Sequence, residues 1–160
     1  MNTGQSLLSI GALFLLSLIS LRYNSSVLQN TTAETENKVY LTAFSLADDL
    51  IEEIKQKAFD ERTIDFQAIA VDQLTLPLGV ESGEAWPNFD DIDDYQNYSK
   101  PVSLPHVEDY TVTCQVSYVS SSGQDILDRS YFKKVTIKVT SKYLSSPLYL
   151  KFIFSLHSKN

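Results

Sequence analysis

Four carboxylates crowd one short stretch, Phe89-Asp90-Asp91-Ile92-Asp93-Asp94-Tyr95. Hard cations favour several carboxylate oxygens, so Asp90, Asp91, Asp93 and Asp94 are candidate Ca2+ ligands, although their spacing matches no EF-hand loop. The competing reading is a solvated acidic turn, anchored by Phe89 and Tyr95, with Lys100, Arg62 or Lys134 supplying compensating charge. Apart from such an ion, no cofactor is implied. Cys114 is the single cysteine and His106 and His157 the two histidines, so neither an intramolecular disulfide nor a Cys/His zinc set can be composed. The histidines lack a Ser/Asp or Cys frame and read as structural or surface groups, and Cys114 reads as a strand core residue. No catalytic residue is expected, and the sequence predicts a protein that is not an enzyme.

At 160 residues the chain has the size of one domain with a modest core. Lys and Arg total 13 against 20 Asp and Glu, a net charge of -7, and no segment gathers the basic cluster that phosphates require. Nucleic acid is therefore not expected as a partner.

No charged side chain precedes Arg22, and Leu7 to Leu21 (LLSIGALFLLSLISL) is apolar apart from Ser9, Gly11, Ser17 and Ser20. A helix needs about 20 apolar residues to cross a bilayer, and Gln5 to Leu21 meets the lower edge of that range. A cleaved secretory signal would carry a basic n-region and a small-x-small site. Nothing before Arg22 is basic, and Arg22-Tyr23-Asn24 follows the span, so retention as an anchor fits better.

From Lys38 onward, Val39, Ala43, Leu46, Ala47, Leu50, Ile51, Ile54 and Ala58 recur at helical spacing, with Asp48, Asp49, Glu52, Glu53, Lys55 and Lys57 on the other face. Proline and glycine are absent from Gln5 to about Glu61 except for Gly11, which predicts one nearly continuous helix, bent or melted near Asn24–Ser26 or Asn30–Thr32. Residues from Thr63 to Val107 read as irregular, with extended pieces at Ile64 to Ile69 and Leu74 to Leu78. Three strands follow at Tyr110–Val119, Tyr131–Lys142 and Leu148–Leu156, joined by short links that favour an antiparallel meander with one face on the helix. The expected fold is α+β, a long N-terminal helix packed on a small C-terminal antiparallel sheet.

In that setting Met1-Asn2-Thr3-Gly4 resembles the short leader of a type IV prepilin, with Gln5-Ser6-Leu7-Leu8-Ser9-Ile10 opening the mature helix. The stretch from Phe89 to Tyr95 resembles the "DD-aliphatic-DDY" loop of some minor pilins, notably of the mannose-sensitive haemagglutinin type. Together the similarities span nearly the whole chain. They imply a pilin-like organisation: a leader over 1–4, a transmembrane and assembly half of the helix over 5–22, and an extracytoplasmic head over 23–160 that includes the amphipathic half.

The resemblance also implies processing between Gly4 and Gln5 by prepilin peptidase, and assembly with other pilin-like subunits through Leu7, Leu8, Ser9, Ile10, Leu13 and Leu16. The place would be a bacterial inner membrane, then a surface or periplasmic filament. Related pseudopilin heads use loop carboxylates for Ca2+, which bears on the acidic loop. The function implied is that of a minor pilin or pseudopilin-like structural subunit. The alternative is a monomeric single-span protein whose head binds a ligand or envelope partner.

Three departures qualify the likeness. Ser9 stands where major pilins carry a glutamate that neutralises a neighbour's terminal amine, and an unpaired buried amine is costly. The leader has no Lys or Arg, so the positive-inside rule has only the α-amino group before the span and Arg22 after it. No cysteine pair closes the C-terminal loop. Ser9 favours a minor or tip-like subunit over a principal one.

Overall fold

The computed structural model describes residues 2–64, 70–104 and 107–156. Helix α1 runs Thr3–Ile54 and a short α2 covers Glu61–Ile64. Four strands follow: β1 Ser99–Leu104, β2 Val107–Tyr118, β3 Phe132–Ser141 and β4 Leu148–Ser155. They form one antiparallel sheet in the order β1-β2-β3-β4, a meander. The chain divides into two compact units after Lys38, inside α1.

In the first unit α1 is unbroken through the Asn24–Ser26 and Asn30–Thr32 neighbourhoods, where a bend was expected. Thr31, Thr32 and Thr35 donate their hydroxyls to the carbonyls of Val27, Leu28 and Thr31 one turn back, at 2.7, 3.0 and 2.9 Å. Hydroxyls bonded in this way have their partners inside the helix, an arrangement compatible with its continuity. Lys38 pairs with Glu34 at 2.7 Å across the next turn, an exposed contact of small worth.

In the second unit the remainder of α1 buries Val39, Ala43, Ala47, Leu50, Ile51 and Ile54, the predicted apolar stripe. These residues share one core with Tyr110, Val112, Cys114 and Val116 of β2, Val135, Ile137 and Val139 of β3, and Leu148 of β4. Ala43 and Ala47 are fully buried, and such small side chains let a sheet approach a helix axis closely. The strands alternate as their sequences demand, so Cys114 faces inward opposite Ile137, which pairs in turn with Leu150.

The three expected strands are present to within a few residues. One more was missed: β1, over Ser-Lys-Pro-Val-Ser-Leu, pairs Ser99 with Thr113 and Val102 with Tyr110 before a register shift between Val102 and Leu104. Pro101 is tolerated because β1 is an edge strand, where a missing N–H need break no ladder. The expected extended piece at Leu74 to Leu78 is no strand: a 3-10 turn at Val71–Gln73 leads into an irregular segment. Most of the piece from Ile64 to Ile69 lies outside the described residues, as do His106 and His157.

The β2–β3 link turns on Gly123, whose φ of 80° lies in the left-handed region that side chains disfavour. Its N–H donates to Ser120 O at 2.8 Å, and Ser120 N donates to Gln124 O at 2.8 Å.

Helix α1 also stops short of its expected end near Glu61. Lys55, Gln56, Lys57 and Ala58 are good helix formers, but Ala58 is drawn into a bridge with the acidic loop: Ala58 N donates to Asp90 O at 2.9 Å and Ile92 N to Ala58 O at 3.0 Å. Lys57 Nζ adds a bond of 2.5 Å to Phe89 O. Tertiary pairing has overridden local propensity.

Two outcomes are expected. Ile137→Ala should destabilise the folded chain by about 2–5 kcal/mol in denaturant titration, the cost of a cavity in a filled core, and a loss under about 1 kcal/mol would refute the packing described. Burial pushes the Cys114 thiol up to about 12. A thiol reagent at neutral pH should therefore label it only as fast as the protein opens.

Candidate functional site

Alternation along β3 points Lys133 inward, in phase with Val135, Ile137 and Val139, and its register sets it opposite Tyr118. A lysine on a core face needs partners, and three converge on it. Lys133 Nζ donates to Phe59 O at 2.7 Å, to Asp60 Oδ2 at 2.8 Å and to Asp93 Oδ1. The Phe59 and Tyr118 rings sit 4.6 and 5.2 Å from the ammonium. Lys133, Asp60 and Asp93 are all fully buried.

The two carboxylates are not equivalent. Asp60 accepts from Thr75 N at 3.1 and 3.0 Å, Thr75 Oγ1 at 2.9 Å, Arg62 N at 3.1 Å and Tyr118 Oη at 3.1 Å, besides Lys133. Burial opposes its charge, yet Lys133 and the Thr75 bonds hold the Asp60 carboxyl below its usual range. For Asp93 burial prevails over Lys133, pushing it up to about 8, and its Oδ2 has no hydrogen-bond partner. One ammonium between two buried carboxyls thus leaves Asp60 as the ionised partner, with Asp93 inclined to keep its proton.

The acidic loop folds on itself around these groups. Asp91 Oδ1 accepts Asp93 N at 2.6 Å and Asp94 N at 3.2 Å, while Asp94 Oδ2 accepts Asp90 N at 3.0 Å and Asp91 N at 3.3 Å. Each carboxylate caps the other's end of the turn, the local bonding that Asp favours. Phe89 and Tyr95 pin the loop, with ring centroids 5.1 Å apart and Tyr95 Oη donating to Glu53 at 2.7 Å.

The expected solvated turn is thereby corrected. Asp91, Asp93 and Asp94 are fully buried, and only Asp90 is exposed. The compensating cation is Lys133. Of the residues expected in that role, Lys100 lies 4.1 Å over the Trp86 ring, Lys134 pairs with Asp125 at 2.6 Å, and Arg62 contributes its backbone N–H.

Nor do the four aspartates form one ligand set. Asp93 belongs to Lys133, and Asp91 is committed through Oδ1 to the turn. Asp94 and Asp90 instead meet glutamates from elsewhere. A turn with Glu84 N on Glu81 O at 3.2 Å brings Glu81 and Glu84 together. One carboxylate oxygen from each of Glu81, Glu84 and Asp94 lies within 4.8 Å of the others, as do oxygens of Glu61, Glu84 and Asp90. Partial burial, then repulsion from Asp91 and Asp94, pushes Glu81 up to about 7. Partial burial, then Asp94 and Asp90, does the same for Glu84. Sequence reasoning missed Asp60, Lys133 and all three glutamates; only Lys133 carried a signal, its in-phase place in the β3 alternation.

At the N-terminal end, Gly4 and Gln5 lie in the first turn of α1, with Gln5 N on Asn2 O at 2.9 Å. Leu7, Leu8, Ile10, Leu13 and Leu16 are each more than 60% exposed, and Ser9 Oγ donates to Gln5 O at 2.9 Å. α1 is long and apolar enough over its first part to cross a membrane, a property that anchors and signal sequences share.

In comparisons with known proteins, no family model, no curated protein and no solved structure matches this chain. Its fold and its site rest on its own geometry: an α+β protein with an exposed apolar N-terminal helix, a sealed ion cluster that braces the head, and a carboxylate group beside it.

Removing the cluster's cation should be costly. Lys133→Met strands Asp60 and should destabilise the protein by about 3–5 kcal/mol in urea titration. Asp60→Asn should cost a similar amount. Asp93→Asn, which mimics the protonated acid, should cost clearly less, and the reverse order would overturn the charge assignment.

Proposed function

We propose that the chain is a membrane-anchored structural subunit of a type IV pilus-like or secretion-related filament, of the minor pilin or pseudopilin kind, and that it performs no catalysis. The observation that carries this reading is the uncharged, exposed apolar stretch Leu7 to Leu21 within the same helix that, from Val39 to Ile54, forms one wall of the head's core. An apolar surface of that length demands lipid or other helices. The order of helix, irregular loop and antiparallel meander fits the pilin-like resemblance noted in the sequence.

The mechanism is packing. Leu7, Leu8, Ile10, Leu13 and Leu16 offer the apolar contact, and small residues such as Gly11 and Ala12 permit close helix approach. Ser9 supplies no charge, and its hydroxyl is satisfied within its own helix, so it adds no polar cost in an apolar setting. It also offers nothing to neutralise a neighbour's amine, which suits a subunit incorporated at low copy or at an end. Peptidase cleavage after Gly4 requires the first turn of α1 to open, since the bond lies within the helix.

Mass spectrometry of the assembled protein should find a mature N-terminus at Gln5, and intact Met1 there would sink the processing step. Exchanging Leu7 to Leu21 for an unrelated apolar span should keep the chain in the membrane fraction yet remove it from sheared filaments. If sheared filaments never contain the chain, even before the exchange, the protein acts instead as a single-span anchor for its head.

A further inference from the structure

We propose that the free edge of β4 binds an extended, acidic segment of a partner polypeptide, which joins the sheet as a fifth strand. The inference concerns the head alone and does not rest on the filament reading.

The backbone carries the first part. β4 ends the sheet, so one of its sides has no neighbouring strand among the described residues. Leu156 N donates to Tyr131 O at 2.9 Å, which fixes the phase of the β3–β4 ladder. The main-chain groups of Leu150, Phe152 and Phe154 therefore turn toward β3, and those of Tyr149, Lys151 and Ile153 turn outward. From Leu148 to Ser155 the strand keeps one register and contains no proline. Such a run of unpaired donors and acceptors is a template for another strand.

The opposite edge is closed. Cys114 N donates to Tyr98 O at 2.9 Å, and the same alternation turns Ser99 and Pro101 outward on β1. Pro101 has no N–H to offer, and the register shift after Val102 interrupts the ladder. β1 thus carries two of the devices by which sheets protect an edge, and β4 has neither.

Side chains select the occupant. Leu148 belongs to the core, with Leu150 and Phe154 packed against it, so alternation places Tyr149, Lys151 and Ile153 on the outer face, where all three are exposed. Phe152, on the inner face at the rim, keeps 39% of its surface exposed. Lys151 stands opposite Thr136 and so lies diagonal to Lys138 on the outer face. Neither ammonium has an ion pair among the described residues. Asp125, an acid beside them, is engaged by Lys134 at 2.6 Å and by Ser117 at 2.6 Å. Pairing β4 near its centre with β4 of a second copy would set Lys151 beside its own counterpart, and like charges across a strand pair repel. A strand with carboxylates on its outer face instead gives Lys151 a partner and relieves its repulsion with Lys138. The alternate, apolar side chains of that strand would cover Phe152.

The test uses the full chain in detergent micelles and a fluorescein-labelled octapeptide alternating valine with glutamate, read by anisotropy. Anisotropy should rise to saturation, and the same peptide with lysine for glutamate should bind at least 10-fold more weakly. Ile153→Pro removes an outward N–H without touching the β3 ladder, as Pro101 does on β1, and should weaken the glutamate peptide at least 10-fold. Lys151→Glu is the second variant, should the proline variant fold poorly: it should reverse the preference between the two peptides, which misfolding alone cannot do. The proposal is overturned if the glutamate peptide does not bind, if the lysine peptide binds equally well, or if Lys151→Glu leaves the preference unchanged. It is equally overturned if a folded Ile153→Pro chain binds like the parent. Sedimentation that shows a dimer of the parent chain, dissolved by Ile153→Pro, would assign the edge to a second copy and overturn it as well.

Discussion

Lys133 is the residue on which the head's irregular half depends. Its ammonium meets the Phe59 carbonyl and the Asp60 carboxylate, neighbours in the turn after α1, and the Asp93 carboxyl, so two segments distant in sequence close on the charge that β3 carries. An ion cluster of this sort is not a source of large net stability, because desolvation consumes most of the attraction. Its force is conditional. Once the acids are buried, the cation has to be there, and any arrangement that leaves it outside is excluded. The cluster therefore selects one packing of a loop that otherwise contains few apolar anchors: Leu74, Phe89, Ile92 and Tyr95.

Asp60 and Asp93 show how environment differentiates identical side chains. Asp60 is held by backbone and hydroxyl donors as well as by Lys133 and stays ionised, whereas Asp93 has one strong partner and a bare second oxygen. Beside them Asp91 and Asp94 work as backbone caps. Four neighbouring aspartates thus hold different duties: a turn end at Asp90, two caps, and a share in Lys133.

The parts of the fold legible in the sequence were those governed by periodicity. Val39, Ala43, Ala47, Leu50 and Ile54 announce a helix face, and alternation announces β2, β3 and β4, because burial on one side repeats with the geometry of each element. β1 was hidden by Pro101, which argues against a strand unless its edge position is known. The early end of α1 was hidden as well, since Ala58 left the helix for partners in the loop more than thirty residues away. At the site, the aspartate run was visible and its surroundings were not. Glu61, Glu81 and Glu84 carry no signal because only the tertiary fold brings them to Asp94 and Asp90. Lys133 sat in plain alternation with Val135 and Ile137, but a lysine there reads as an irregularity in the pattern, not as a buried charge.

The spacing of the ion cluster along the chain also orders its formation in time. Asp60 and Asp93 precede Lys133 by 73 and 40 residues. During synthesis the helix and the acidic loop emerge well before the strand bearing their counter-charge, and both carboxylates remain hydrated until β3 arrives. Contacts of such long range close slowly, because loop entropy is lost before any attraction is gained. The buried form of the cluster is therefore complete only once β3 has supplied Lys133.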